Sequence, residues 1–216
     1  MPTTLPDLRD LSLEEVNTLV AGLGEKPYRA KQLWGWIWQK HAPSIEAMSD
    51  LPKAFRAQLA ERVVYRPLTL AEQQRSSDGT IKCAFRTHDG FVVEGVLIPT
   101  ETRMTACIST QAGCSLTCAF CATGKLKRER NLSAGEIVDQ VVAINKLAEA
   151  NYQKPLSNIV YMGMGEPLLN YANTLRSAER ISAEDGLGMS PRRITVSTAG
   201  IAKMIRKLAD DDARFN

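Results

Sequence analysis

The sequence predicts an α/β protein whose second half consists of three consecutive strand–helix units. After residue 103, short apolar segments suited to strands alternate with amphipathic segments suited to helices. Before it, a helical region is followed by a region of alternating hydrophobicity with a turn signal. We therefore expect a parallel sheet or barrel from residue 103 to 216, preceded by a small helical domain (1–66) and a β-hairpin extension (67–102).

The N-terminal region contains three predicted helices, in LSLEEVNTLVAGLG, PYRAKQLWGWIWQK and LPKAFRAQLAERV. In the first, Ser12 and Glu15 form a capping box, in which each side chain bonds to the other's backbone. In the second, Trp34 and Trp38 are four residues apart and share a face. These tryptophans are expected in the core, and stacking on nucleobases is the alternative.

The hairpin extension is predicted from GTIKCAFRTHDGFVVEGVLIP, which alternates and turns at residues 88–90. Ile81, Cys83 and Phe85 fall on one face, so Cys83 is interpreted as a small buried hydrophobe. His88 lies in the turn, where we expect it to be exposed.

The three strand–helix units place their candidate functional residues just after each strand. The strands are predicted in RMTACIST, NIVYMG and RITVST, and the loops that follow carry three cysteines, GMGEPLLN and STAG. Functional sites of parallel sheets and barrels gather at these strand ends. Cys107 and Ser197 lie on the polar faces of their strands, so we expect both to face one cavity.

The amino-acid composition says little about which molecules this protein binds. The formal net charge is +3 and the pI is about 8.6. Basic residues cluster in 125–130 and 192–207, which fits attraction to phosphates or an ordinary solvated surface. The sequence shows neither a secretory signal nor an apolar run of the roughly 18–20 residues that span a membrane. We expect a cytoplasmic protein without a membrane partner.

Cys114, Cys118 and Cys121 form a C-x3-C-x2-C pattern in one loop. Three thiolates can hold three irons of a [4Fe-4S] cluster and leave the fourth iron open to S-adenosyl-L-methionine (SAM). The alternative is a structural zinc site, which needs four ligands and would use Cys107 as the fourth. Because Cys107 is predicted inside a strand, the iron–sulfur interpretation is favoured.

This spacing, with Phe120 before the last cysteine, resembles the signature of the radical SAM superfamily. The resemblance implies that GMGEPLLN contacts the methionine amino group through Gly165 and Glu166, and that Ser197 of STAG is a further cofactor contact. The alternatives are a tight turn with a capping Glu166 and an N-cap role for Ser197 in the next helix.

A longer resemblance covers YRAKQLWGWIWQ, SDGTIKCAFRTHDGFVVEGVLIP, ACISTQAGCSLTCAFCATG, RNLSAGEIVDQV and MGMGEPLLN, in this order. Together these segments resemble the RNA adenine carbon-2 methyltransferase family RlmN, whose close relative is the carbon-8 methyltransferase Cfr. The resemblance implies methylation of adenosine in 23S rRNA and in tRNA, beside the anticodon, through a methyl-cysteine. The helical domain would bind RNA, an electron donor such as flavodoxin would be needed, and the protein would be a monomer.

The same resemblance assigns roles to two residues outside the cysteine loop. Glu94 matches the proton acceptor, and Cys107 matches the cysteine that resolves the protein–RNA adduct by forming a disulfide. The methyl-carrying cysteine would lie beyond Asn216, so we expect only the first half of the radical SAM (βα) barrel within 103–216. A Cfr-like carbon-8 methyltransferase and a non-catalytic iron–sulfur RNA-binding protein are the alternative functions.

Overall fold

The computed structural model describes residues 5–216. The α-helices are α1 (Leu13–Gly22), α2 (Tyr28–Trp38), α3 (Lys53–Ala60), α4 (Ala134–Tyr152), α5 (Tyr171–Ser182) and α6 (Ala202–Asp210). The strands are β1 (Thr69–Arg75), β2 (Ile81–Arg86), β3 (Val92–Pro99), β4 (Met104–Cys107), β5 (Gln111–Ala112), β6 (Arg130–Asn131), β7 (Asn158–Tyr161) and β8 (Ile194–Val196).

A mixed six-stranded sheet runs through the molecule in the order β1-β2-β3-β4-β7-β8. β1 to β4 pair antiparallel, whereas β4, β7 and β8 are parallel. The parallel strands are connected through α4 and α5, as parallel pairing requires. The second half of the chain therefore has the strand–helix order of the first part of a (βα) barrel, as the sequence predicted.

The two faces of the sheet differ in burial. Helix α4 packs on β3 and β4, and α5 packs on α4. Met104 and Ala106 of β4 are buried on this side, while Cys107 points to the opposite face and is half-buried. Along that opposite face, Cys107, Val160 and Thr195 stand side by side in the register of β4, β7 and β8. This partly exposed face is the one that would line the interior of a barrel.

The N-terminal helices form part of the same hydrophobic core. Trp34 and Trp38 are buried, with ring centroids 5.9 Å apart in an edge-to-face arrangement. The indole nitrogen of Trp34 donates to Asp185 Oδ2 (2.8 Å) just beyond α5. The predicted core role of these two tryptophans is thus confirmed, and they anchor the helical region against the barrel.

A buried arginine also connects the helical region to the barrel. Arg9 is only 2% exposed, and its guanidinium bonds to Asp139 of α4 and to the backbone oxygen of Arg66. From α5, Arg176 Nη2 donates to the backbone oxygens of Arg9 (3.0 Å) and Leu11 (2.6 Å). These bonds fix the region before β1 against α4 and α5.

Several local predictions are confirmed. The predicted capping box is present at α1, and α4 begins with a second one, in which Ser133 and Glu136 bond reciprocally. Cys83 is fully buried between its neighbours on β2. The turn between β2 and β3 is closed by Thr87 N, which donates to Phe91 O (2.9 Å). His88 within it is 38% exposed.

The hairpin extension is larger than the predicted one. Strand β1 (TLAEQQR) was not predicted, because all seven residues are exposed and the segment shows little apolar alternation. It adds a third strand, and the resulting meander continues directly into β4. The division between 67–102 and 103–216 stays a prediction, but the sheet crosses it without interruption.

The last residue extends the parallel arrangement. Asn216 N donates to Ile194 O (2.9 Å), and Val196 N donates to Asn216 O (2.7 Å). This is the bond pair of a parallel bridge.

Candidate cofactor site at the strand ends

Three loops meet at the carboxyl ends of the parallel strands. The cysteine loop, residues 113–129, follows β4; the segment GMGE, residues 163–166, follows β7; and STAG, residues 197–200, follows β8. Because these strands are neighbours in the sheet, their loops are brought together, as the sequence predicted.

The cysteine loop is closed at its base by a two-stranded ribbon. β5 and β6 pair antiparallel, with Gln111 opposite Asn131 and Ala112 opposite Arg130. The loop enters through Gly113, whose φ is +76°. A Cβ at Gly113 would lie 2.0 Å from the backbone oxygen of Lys127, so no other residue fits this crossing. We call the paired strands β5 and β6 the neck of the cysteine loop.

Cys114, Cys118 and Cys121 all belong to this loop, and each is a free, half-buried thiol. Leu116 N donates to Cys114 Sγ (3.4 Å). The backbone N–H of Gly124 holds the pKa of the Cys121 thiol below its ordinary value, which favours the thiolate that binds metal. The donor set therefore fits a group that is coordinated by soft sulfur ligands.

Within residues 5–216, no group of three or more His, Cys, Asp or Glu side chains is arranged to hold a single metal ion. An iron–sulfur cluster does not require such convergence, because each thiolate binds its own iron. Cys107 remains on β4 and outside the loop.

The GMGE segment lies directly against the end of β4. A Cβ at Gly163 would lie 2.6 Å from Ser109 Oγ, and one at Gly165 would lie 2.5 Å from Gln111 Cβ. Gly165 also has a φ of +95°. Gln111 Oε1 then accepts from Glu166 N (2.9 Å). The two glycines therefore permit a close contact between the first two loops.

The carboxylate of Glu166 connects the second loop to the third. It is 4% exposed, and its Oε1 accepts from Leu168 N (2.9 Å) and Thr198 Oγ1 (2.8 Å). Its Oε2 accepts from Ala199 N (2.7 Å). The capping role that the sequence allowed for Glu166 is thus present, and its predicted contact with the methionine amino group stays a prediction.

Ser197 is exposed immediately after β8. The alternative role as N-cap of the next helix is wrong, because α6 begins after Ile201 and has no side-chain cap. Its predicted cofactor contact, and the shared cavity with Cys107, stay predictions.

Cys107 and Glu94 both project from the partly exposed face of the sheet. Burial raises the pKa of the Cys107 thiol, and the backbone N–H of Met162 partly opposes this shift. Glu94 is 47% exposed and pairs with Lys82 across β2 and β3 (Oε1–Nζ 2.7 Å). The carboxylate is therefore accessible and has a cationic partner on the neighbouring strand.

A buried polar network at the end of β4 was not predicted. Ser109 Oγ donates to Glu94 O (2.5 Å) and accepts from Met164 N (2.7 Å). Gln140 of α4 bonds to both backbone groups of Ser109, at 2.9 and 3.0 Å. One signal was available: Gln140 is a polar residue among the mostly apolar buried residues of α4, and such a residue needs a partner.

Two family models match the chain. The ribosomal RNA large subunit methyltransferase N-terminal domain matches residues 6–64, and the radical SAM superfamily matches residues 108–215. The second match covers half of the chain and includes all three loops of the site. The fold, the cysteine loop and the superfamily match together show the class of this protein. It is a radical SAM protein.

Curated relatives match nearly the whole of this chain. The chain is 53% identical over 208 residues to the "Probable dual-specificity RNA methyltransferase RlmN" of Cytophaga hutchinsonii, covering 96% of this chain and 57% of that protein. It is 48% identical to the "Dual-specificity RNA methyltransferase RlmN" of an Anaeromyxobacter species, covering 97% of this chain and 57% of that protein. The chain is therefore similar to RlmN proteins over nearly its whole length, and it spans somewhat more than half the length of these relatives.

A solved structure shows the same fold. A radical SAM methyltransferase from Sphaerobacter thermophilus superposes with a TM-score of 0.87 at 43% identity, covering 98% of this chain and 62% of that one.

No helix within residues 5–216 is long and apolar enough to cross a membrane.

Proposed function

We propose that this chain carries the RNA-binding domain and the cofactor-binding half of a radical SAM methyltransferase that methylates carbon-2 of adenosine in 23S rRNA and tRNA. The observation that carries the proposal is the joining of three loops at one edge of the sheet. Gln111 connects the neck of the cysteine loop to GMGE, and Glu166 connects GMGE to STAG. The RlmN relatives support the substrate class.

In this proposal Cys114, Cys118 and Cys121 hold a [4Fe-4S] cluster, and Gly165, Glu166 and Ser197 form part of the SAM site. The cluster and SAM together would supply the radical that activates the methyl group, because carbon-2 of adenine is too electron-poor to attack a sulfonium methyl directly. The chain's own contribution is to hold the thiolates and to fix the GMGE backbone beside them.

Cys107 and Glu94 would act on the reacting base from the open face of the sheet. Glu94 is accessible and would accept the proton that leaves carbon-2. Cys107 would resolve the protein–RNA adduct by forming a disulfide with a methyl-carrying cysteine. Ser109 supports this geometry, since its hydroxyl joins the backbone of Glu94 to the GMGE loop.

Basic side chains around the site would bind the RNA phosphates. Lys125, Lys127 and Arg128 of the cysteine loop are exposed, as are Arg192 and Arg193 before β8. Because the reacting carbon lies within a base, the target adenosine would have to leave its stack to reach the site. The helical region would hold neighbouring parts of the RNA.

The first test is iron and sulfide content after anaerobic reconstitution, with an electron paramagnetic resonance spectrum recorded before and after adding SAM. The proposal expects about four irons per chain, as a [4Fe-4S] cluster requires, and a spectrum altered by SAM. Bound zinc in place of iron would overturn the assignment of the three cysteines. An unaltered spectrum would place essential SAM contacts outside this chain.

The second test identifies the product. Nucleosides from the rRNA and tRNA of cells that carry or lack the gene are compared by mass spectrometry and chromatography. The proposal expects 2-methyladenosine that disappears with the gene. Gene-dependent 8-methyladenosine would instead assign the Cfr-like activity, and no gene-dependent methylation would favour a non-catalytic RNA-binding protein. A flavodoxin-type donor, a monomeric state and a cytoplasmic location are parts of the same proposal.

A further inference from the structure

Arg130, at the exit of the cysteine loop, uses all five of its side-chain N–H donors. Nε and Nη2 donate to the two carboxylate oxygens of Asp89, at 2.6 and 2.8 Å. Nη1 and Nη2 donate to the two carboxylate oxygens of Glu136, at 2.8 and 2.7 Å. The remaining Nη1 donor reaches Asn131 O (2.9 Å). A guanidinium with every donor paired in a planar fork is held in one orientation.

These bonds join three separate parts of the fold. Arg130 belongs to β6, Asp89 lies in the turn between β2 and β3, and Glu136 lies in the first turn of α4. Glu136 is 3% exposed and also accepts from Ser133 N (2.9 Å), so its carboxylate is held by a bond that does not depend on Arg130. The hydrogen bonds from Arg130 hold the pKa of Asp89 well below its usual range.

The hydrogen bonds of Arg130 also bear on the cysteines, because Arg130 lies in the neck of the cysteine loop. Arg130 pairs with Ala112 across the neck, and Glu129 N donates to Ala112 O (2.8 Å). On the other side of the neck, Gln111 bonds Asn131 and Glu166 N. The neck itself is only two residues long on each side, too short for its own pairing to hold a 17-residue loop in place.

We infer that Arg130 is a positioning residue: its clamp on Asp89 and Glu136 fixes the neck, and through the neck it fixes Cys114, Cys118 and Cys121 relative to the GMGE loop. A lysine in place of Arg130 would carry its positive charge on a single nitrogen. It could not form two hydrogen bonds to each of the two carboxylates. The effect on the cysteines in their metal-bound state rests on the proposed function, whereas the effect on the neck does not.

Hydrogen–deuterium exchange of the metal-free protein tests the clamp directly. Arg130→Gln removes it, and Arg128→Gln is the matched control, because it removes the same charge two residues earlier in the chain. Arg128 is exposed and makes one long bond, to Asn131 Oδ1 (3.4 Å). Asp89→Asn removes only one of the two carboxylate charges.

We expect peptides that contain residues 111–112 and 129–132 to exchange about tenfold faster or more in Arg130→Gln, since losing even one hydrogen bond between charged groups shifts an equilibrium by about that factor. Asp89→Asn should show a smaller increase in the same peptides, and Arg128→Gln should match the wild type. Unchanged exchange of these peptides in Arg130→Gln would overturn the clamp. So would an equal increase in α5, because Arg130 would then support the whole fold.

Iron retention tests the consequence for the cysteines. After reconstitution, iron release to a chelator should be about tenfold faster in Arg130→Gln than in wild type and unchanged in Arg128→Gln. Equal release rates in a variant with a loosened neck would contradict the positioning role. If the wild-type chain binds no iron at all, the proposed function fails, and the exchange experiment alone still decides whether the clamp exists.

Discussion

Replacing Gly165 by alanine should destabilise the protein through two separable effects. Gly165 has a φ of +95°, which alanine adopts at a cost of about 1–2 kcal/mol. The added Cβ would also lie 2.5 Å from Gln111 Cβ and 2.6 Å from its Cγ, closer than van der Waals contact allows. Overpacking of this kind costs about 1–3 kcal/mol. The total is therefore about 2–5 kcal/mol.

Gly90 provides a matched control for the backbone part. Its φ is +92°, and a Cβ there would meet nothing within 4 Å. Gly90→Ala should thus lose only the conformational cost of about 1–2 kcal/mol. The difference between Gly165→Ala and Gly90→Ala then measures the close contact between the GMGE loop and the end of β4.

Urea unfolding followed by circular dichroism gives both free energies of unfolding on the same scale. Because Gln111 also holds Glu166 N, we expect Gly165→Ala to weaken the SAM-induced change in the paramagnetic resonance spectrum as well. Equal destabilisation by the two substitutions would refute the steric argument. A stable Gly165→Ala variant with an unchanged response to SAM would refute the role assigned to the GMGE backbone.

Three further substitutions test other parts of the structure. Cys118→Ser should lower the iron bound after reconstitution, whereas Cys83→Ala, at a buried cysteine on β2, should retain it; equal iron in both would contradict the ligand assignment. Arg9→Met should cost about 3–5 kcal/mol of unfolding free energy, because it leaves the carboxylate of Asp139 without its ion-pair partner; a loss under about 1 kcal/mol in urea unfolding would mean a solvated pair. Burial, with a smaller contribution from a nearby lysine, lowers the pKa of His41 to about 4, so the folded state disfavours protonation of this side chain. The free energy of unfolding should therefore fall by up to about 3 kcal/mol between pH 6.5 and pH 4. His41→Asn, which tolerates the local φ of +48°, should remove that part of the pH dependence; an identical profile would contradict it.

The sequence predicted the elements whose physical signals are local. Capping boxes depend on residues three apart, and the burial of Trp34, Trp38 and Cys83 follows from helical and strand periodicity. The three loops could be placed at one edge because strand–helix units fix the direction of their strands. Strand β1 escaped prediction because an exposed polar strand gains its stability from pairing with β2, which leaves no pattern in its own residues.

The connections within the site depend on contacts between distant residues. The sequence allows Gly165 to be either part of a turn or a cofactor contact. Only the structure shows that a glycine here leaves room for Gln111, which lies 54 positions earlier in the chain. Likewise, only the structure shows that Glu94 is half-exposed and forms an ion pair with Lys82 of the neighbouring strand. Charge and shape complementarity across the sheet thus decide which candidate residues act together. For this reason the clamp of Arg130, whose partners lie 41 positions before it and six after, follows from the structure alone.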